Sequence, residues 1–275
     1  MKILRKQQII KILIILLEII LLVIAIFAYK FIYTKEINKV KYAEESQKFV
    51  DENKEPIFKI DKIILYNSAN GIDNSDGKLQ SIDISQFTDI VIYLNNTNKI
   101  KEITAENTIN QMYIDNIKIT SKSEMGEKIF NYKNPYNTGK YQDLKNYENN
   151  GIYFKILNSN EKNNSANYDE PVFYTDCSNP ISLGFINKNI LTNCEVTDTG
   201  SIAFDGSILK SANIDVKDLK TTLDFTIHLK NNFNEEFIAN ASLDIDLEKE
   251  NEAIYTGYMM QIIDTEEIKF LKVSE

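Results

Sequence analysis

The chain has almost none of the side chains on which most metal and redox chemistry depends. One histidine and two cysteines occur in 275 residues. With one His and no C-x-x-C, metal binding is disfavoured. H-E-x-x-H, G-x-S-x-G, the P-loop and G-x-G-x-x-G are also missing, and with them the local signatures of zinc proteases, α/β-hydrolases and nucleotide-binding folds. No cofactor is implied. Tryptophan is absent, while Asn, Lys and Ile are abundant. That bias matches an AT-rich genome and carries no functional reading.

Positive charge is also in deficit. Lys and Arg number 31 against 40 Asp and Glu, a net charge of −9. Removing residues 1–30 takes away five cations and one acid. The remainder holds 26 against 39, or −13. Nucleic acid and anionic lipid are bound through basic patches, so neither is expected as a partner of this part.

What is present is one long apolar run. It extends from Ile12 to Tyr29, is preceded by Lys2, Arg5, Lys6 and Lys11, and is interrupted only by Glu18. As a helix it measures about 27 Å at about 1.5 Å per residue. Bilayer hydrocarbon is about 30 Å thick, a span reached if Phe31, Ile32 and Tyr33 join and Lys30 snorkels. A cleaved signal peptide needs small residues at its cleavage site. Here Val23-Ile24-Ala25 and Ile26-Phe27-Ala28 are bulky and embedded in the run, so an uncleaved single-pass signal-anchor is expected. The flanking cations tie, four (Lys2, Arg5, Lys6, Lys11) against four (Lys30, Lys35, Lys39, Lys41). Exporting cations opposes the membrane potential at about 2.3 kcal/mol per charge per 100 mV, and long polar domains cross with little regard to charge. The reading is a cytoplasmic tail at 1–11, a transmembrane helix at 12–33, a helical stalk at 34–55 and an extracytoplasmic domain at 56–275. Pro56 ends the stalk.

Glu18 is the one acid in the run. It either reaches Lys11, seven residues away on the same helix face, or contacts another transmembrane helix. Glu18 followed by Ile19, Ile20, Leu21, Leu22, Val23, Ile24, Ala25 and Ile26 resembles the start of a type IV pilin or pseudopilin. That resemblance implies a helix leaving the membrane, a β-rich head and a structural subunit of a filament. The family is processed after a Gly four or five residues before the Glu. This chain has no Gly before Gly71.

Beyond the stalk the hydrophobic period becomes two. Leu223, Phe225, Ile227 and Leu229 alternate with Asp224, Thr226, His228 and Lys230. After the turn at 231–234, Phe237, Ala239, Ala241, Leu243, Ile245 and Leu247 alternate with polar residues. This predicts an antiparallel hairpin with one wet face. Further strands are expected at 58–66, 82–84, 89–94, 109–120, 152–157, 171–175, 181–185, 201–204, 254–263 and 268–273. They are separated by Asn70-Gly71, Asp76-Gly77 and Asn149-Asn150-Gly151 turns, with a loop at 158–167 and a short helix at 207–212. Strands without intervening helices indicate a mainly β fold, an antiparallel β-sandwich-like domain in one unit or two.

Cys177 and Cys194 can close a disulfide outside the membrane, worth roughly 3 kcal/mol for a loop of that length, or remain two thiols. Asp198-Thr199-Gly200-Ser201 resembles the aspartic-protease D-T-G-S, but Glu195 and Thr197 occupy places where apolar residues belong, so it reads as a turn. Ser207-Ile208-Leu209-Lys210 matches S-x-x-K without its K-T-G partner. The 73–77 stretch looks like a calcium loop, but Ile72 and Asp83 fall where the first and last ligands are required. Asp224, Asp244 and Asp246 share the hairpin's wet face, and His228 is expected on that surface. Tyr132, Tyr136, Tyr141, Tyr147 and Tyr153 form a Tyr-rich stretch that packs or stacks on sugars and protein partners. The expected function is non-enzymatic: a membrane-tethered domain that binds or scaffolds a protein partner in the cell envelope. A pilin-like subunit and a surface hydrolase using Ser207 or Asp198 are the alternatives.

Overall fold

The computed structural model describes residues 18, 20–30, 56–73, 81–96, 105, 107–133, 146–147, 151–157, 170–175, 180–195, 205–249 and 252–273. The chain divides into two units, Met1–Asn53 with Ser274–Glu275, and Lys54–Val273. In the first, residues 18 and 20–30 are helical and exposed. Among the described residues no helix is long and apolar enough to cross a membrane. Residues 12–17, 19 and 31–33 of the expected span, and the expected stalk, lie outside the described residues.

The second unit is β structure. One five-stranded sheet runs in the order β12 (Met259–Ile263), β1 (Phe58–Asp73), β2 (Ser81–Asn96), β7 (Ile181–Glu195), β4 (Glu127–Tyr132). A six-stranded sheet runs β13 (Leu271–Lys272), β9 (Glu236–Ile245), β8 (Thr221–Asn231), β3 (Ile109–Ser121), β5 (Ile152–Leu157), β6 (Val172–Tyr174). A small ribbon pairs β10 (Glu248–Lys249) with β11 (Glu252–Ala253). Every pairing is antiparallel except β5 with β6.

The two sheets meet through aromatic rings from alternate positions. Phe58 of β1 meets Phe237 of β9 edge-on at 5.0 Å. Phe130 of β4 lies 5.8 Å from Phe225 of β8, and Tyr132 of β4 meets Phe154 of β5 at 5.8 Å. All six are buried, at about 1.5–3 kcal/mol for a fully buried apolar side chain. The result is a mixed, mainly β, sandwich-like domain. A buried amide chain runs across one part of it. Thr88 Oγ1 donates to Asn67 Oδ1 (2.8 Å), Asn67 Nδ2 to Gln261 Oε1 (2.9 Å), and Gln261 Nε2 to the Asp246 carbonyl (2.6 Å). It ties β2, β1 and β12 of one sheet to the segment following β9 of the other.

The expected antiparallel β8–β9 hairpin forms, with Leu223 opposite Leu243 and Phe225 opposite Ala241. Its turn is closed by Asn231, whose Oδ1 accepts from the Phe233 and Glu235 amides at 2.9 and 3.0 Å. Elsewhere the boundaries move. Asn70-Gly71 is not a turn: it lies inside β1, paired with Ser85 and Ile84. The expected strands 82–84 and 89–94 are one strand, and 181–185 extends to Glu195. The expected strand 254–263 breaks into a 3-10 turn, Ile254–Thr256, then Gly257 at φ +131°, then β12. Of 268–273, only Leu271–Lys272 forms a strand, with an isolated bridge at Lys269. β4 was not anticipated. Residues 158–167 and 201–204 lie outside the described residues.

The short helix appears as α1 (Ser207–Ser211), burying Ile208 and Leu209. Gly206 enters it, and a Cβ there would collide with the carbonyls of Ile254 and Gly257.

Candidate functional site

The outer face of the six-stranded sheet gathers the chain's only histidine with two tyrosines and two carboxylates. His228 on β8 lies opposite Tyr113 on β3, and Tyr113 lies opposite Tyr153 on β5. The rings stack in a row. Tyr113 lies 4.1 Å from His228 at an interplanar angle of 11°, and 5.3 Å from Tyr153 at 17°. Strand spacing of about 4.8 Å sets this separation, because side chains directly opposite stand face to face.

Hydrogen bonds fix two of the three rings. His228 Nε2 is 2.8 Å from Asp115 Oδ1, and Nδ1 is 3.2 Å from Glu236 Oε1. Each nitrogen faces a carboxylate oxygen. Tyr113 Oη donates to the same Glu236 oxygen at 3.0 Å. Burial, and then the bond to Glu236, push the Tyr113 phenol above its ordinary pKa, so it stays a donor at neutral pH. A bulge between Asp115 and Lys118 turns this strand. Asn116 occupies it at φ 51°, a conformation Asn tolerates. Its Nδ2 donates to Asp115 Oδ1 (3.0 Å) and Thr226 Oγ1 (3.3 Å). Tyr153 ends the row 64 % exposed, whereas His228 is 8 % exposed.

His228 therefore corrects the expectation of a surface residue. The hairpin face was assigned properly, but β3 adds Tyr113 and Asp115 beside it and covers the ring. Beside the row, Asn116, Asp224, Thr226, Asn240 and Ser242 line a shallow cavity of about 260 Å³. Asp224, Asp244 and Asp246 are each engaged. Ser242 Oγ donates to Asp224 and Thr222 Oγ1 to Asp244, both at 2.6 Å, and Lys220 Nζ lies 3.1 Å from Asp246. Among the described residues no group of His, Cys, Asp and Glu is arranged to hold a metal ion.

The other sequence candidates fall elsewhere. Ser207 Oγ donates to Asp205 Oδ1 at 2.6 Å. That bond, with the Ser207 amide, holds the Asp205 carboxyl below its usual range. Lys210 is exposed on the last turn of α1. Cys194, half-buried near the end of β7, is a free thiol, and Cys177 lies outside the described residues. Asp198, Tyr136, Tyr141 and residues 74–77 are likewise outside them. Glu18 lies in the described helix with an exposed side chain. Of the Tyr-rich stretch, Tyr132 and Tyr147 are buried and Tyr153 joins the row. Tyr113 was missed. Its signal was the alternation of Tyr113 and Asp115 with buried Met112 and Ile114, but the pairing with β8 is not written in local sequence.

Comparison with protein-family models, curated proteins and solved structures finds no match to this chain.

Proposed function

We propose that this chain is a single-pass membrane-anchored protein whose extracytoplasmic β-domain binds a component of the cell envelope without chemical catalysis. The observation that carries the binding reading is the Tyr153–Tyr113–His228 row. Three near-parallel rings, two of them held by carboxylates, form a platform on a sheet face, and the last ring presents apolar area beside a polar tip. Preorganisation of this kind lowers the entropic cost of association. The cavity beside it, lined also by Phe225 and Ala241, adds hydroxyl, amide and carboxylate groups. The anchor rests on the apolar run at 12–33 and its four leading cations. The hydrolase alternative is weakened by Ser207, which is bonded to Asp205 and not to Lys210.

Two experiments test the halves separately. Protease added to intact cells or spheroplasts is expected to remove the β-domain; a domain left intact would refute the topology. Isolated envelope fragments are expected to sediment the detergent-solubilised full chain, with Tyr153→Ala weakening capture by about tenfold, as loss of one aromatic anchor implies. Equal capture of both proteins would remove the platform from the account.

A further inference from the structure

A sheet edge is a row of unpaired amides and carbonyls, and natural proteins blunt such edges. Among the described residues, three of the four edges of the two large sheets are blunted. β13 is two residues long and β6 three. β4 is longer, but residues 146–147 cover it: the Tyr147 amide donates to the Phe130 carbonyl at 2.8 Å, and the Phe130 amide to Asn146 Oδ1 at 3.3 Å. β12 is the exception. It pairs with β1 on one side, and among the described residues nothing pairs with the other. Its five residues extend about 16 Å at about 3.3 Å each.

This edge also presents alternating apolar side chains. Met260 and Ile262 are 53 % and 56 % exposed, Tyr258 just before the strand is 72 % exposed, and Tyr66, directly opposite Met260 on β1, is 45 % exposed. Between them Met259 and Gln261 point inward and are buried. Gln261 is clamped by Asn67 and the Asp246 carbonyl, so the edge is held in position before anything reaches it. The strand runs out into Asp264, Glu266 and Glu267, all exposed.

We propose that β12 is a docking edge for an extended segment of a partner protein, which adds a strand to the five-stranded sheet. Main-chain hydrogen bonds supply affinity in this mode and alternate side chains supply specificity. The segment's apolar side chains cover Tyr66, Met260 and Ile262. Basic residues at one of its ends meet Asp264, Glu266 and Glu267. The net charge of −13 beyond residue 30 attracts a cationic segment and disfavours a second copy of this chain.

The test uses the full chain in detergent and a labelled synthetic peptide of about nine residues, alternating Val and Thr with two Lys at one end. Saturable anisotropy is expected, with hydrogen-exchange protection gained at Met259–Ile263 and not at β13 or β6. Replacing the Lys by Glu, or introducing Ile262→Lys, is expected to weaken binding by about tenfold, while Tyr153→Ala leaves it unchanged. If Ile262→Lys shifts the thermal midpoint, Tyr258→Lys replaces it. Equal binding of the basic and acidic peptides, protection outside β12, or no saturable binding would overturn the proposal. So would concentration-dependent dimers protected at β12, since a second copy would then own the edge. The Tyr153→Ala difference in the envelope capture reads the Tyr153 face and the peptide reads β12, so the two proposals fail independently.

Discussion

The two sheets turn unlike surfaces outward. On the six-stranded sheet the outward polar groups are paired across strands: Thr222 with Asp244, Ser242 with Asp224, Thr226 with Asn240, and His228 with Asp115 and Glu236. On the five-stranded sheet the corresponding positions include Tyr66, Met260 and Ile262, left half-exposed and apolar. A polar face finished by its own strands is at rest in water. An apolar face ending at an open edge leaves transfer free energy of about 25 cal/mol per Å² ungained. The difference separates the ring row proposed as a stacking platform from the edge proposed to accept a partner strand.

The comparison breaks most completely when the shared core is lost. Phe237→Ala removes the ring packed on Phe58 and is expected to cost about 3–5 kcal/mol, read by urea unfolding, with both faces lost in one transition. Gly206→Ala acts on one side only. Its Cβ would drive apart the Ile254 and Gly257 carbonyls, at about 1–3 kcal/mol. Hydrogen exchange is then expected to rise at Met259–Ile263 while the His228 ring resonances hold still. Glu236→Ala does the opposite, removing the acceptor shared by Tyr113 and His228 at about 1–2 kcal/mol. The His228 resonances are expected to move and the β12 amides to stay protected.

Smaller effects sharpen the contrast. Met260→Ser trims a half-exposed side chain whose cross-strand neighbour is the half-exposed Tyr66 and is expected to stay within about 0.5 kcal/mol, which thermal unfolding checks. The Lys272–Glu235 ion pair joins β13 to the turn before β9. Lys272 and Asn231 hold the Glu235 carboxyl below its ordinary range. A folded pKa below the unfolded one stabilises in full above the unfolded value, and that stability is lost as pH falls through the folded value. Lys272→Ala is therefore expected to flatten the acid limb of the stability–pH curve, by at most about 1 kcal/mol for a partly exposed pair.

The hairpin was legible because β8 and β9 alternate apolar with polar residues, so a period of two survives in their sequence even where β3 covers Thr226 and His228. The central strands of the other sheet were not. In β7 the run from Ile181 to Asn187 is buried on both faces, and β2 likewise hides Ser85, Gln86, Phe87 and Thr88. Without alternation their lengths could not be read. Asn70-Gly71 misled because a turn dipeptide specifies permissive backbone, and here Gly71 leaves room for Ile82 and Ile208 inside a strand. At the site, Tyr153 and His228 were each noticed separately. Their meeting depends on β3 entering between β5 and β8, a long-range pairing that local periodicity does not encode.

The most direct test of the proposed envelope-facing binding surface is a photo-crosslinking amino acid placed at position 153 of the full chain in intact cells, with position 210 on α1 as control. The account predicts a discrete envelope adduct at 153 that Glu236→Ala diminishes, and none at 210. No adduct at 153, or equal adducts at both positions, would contradict it.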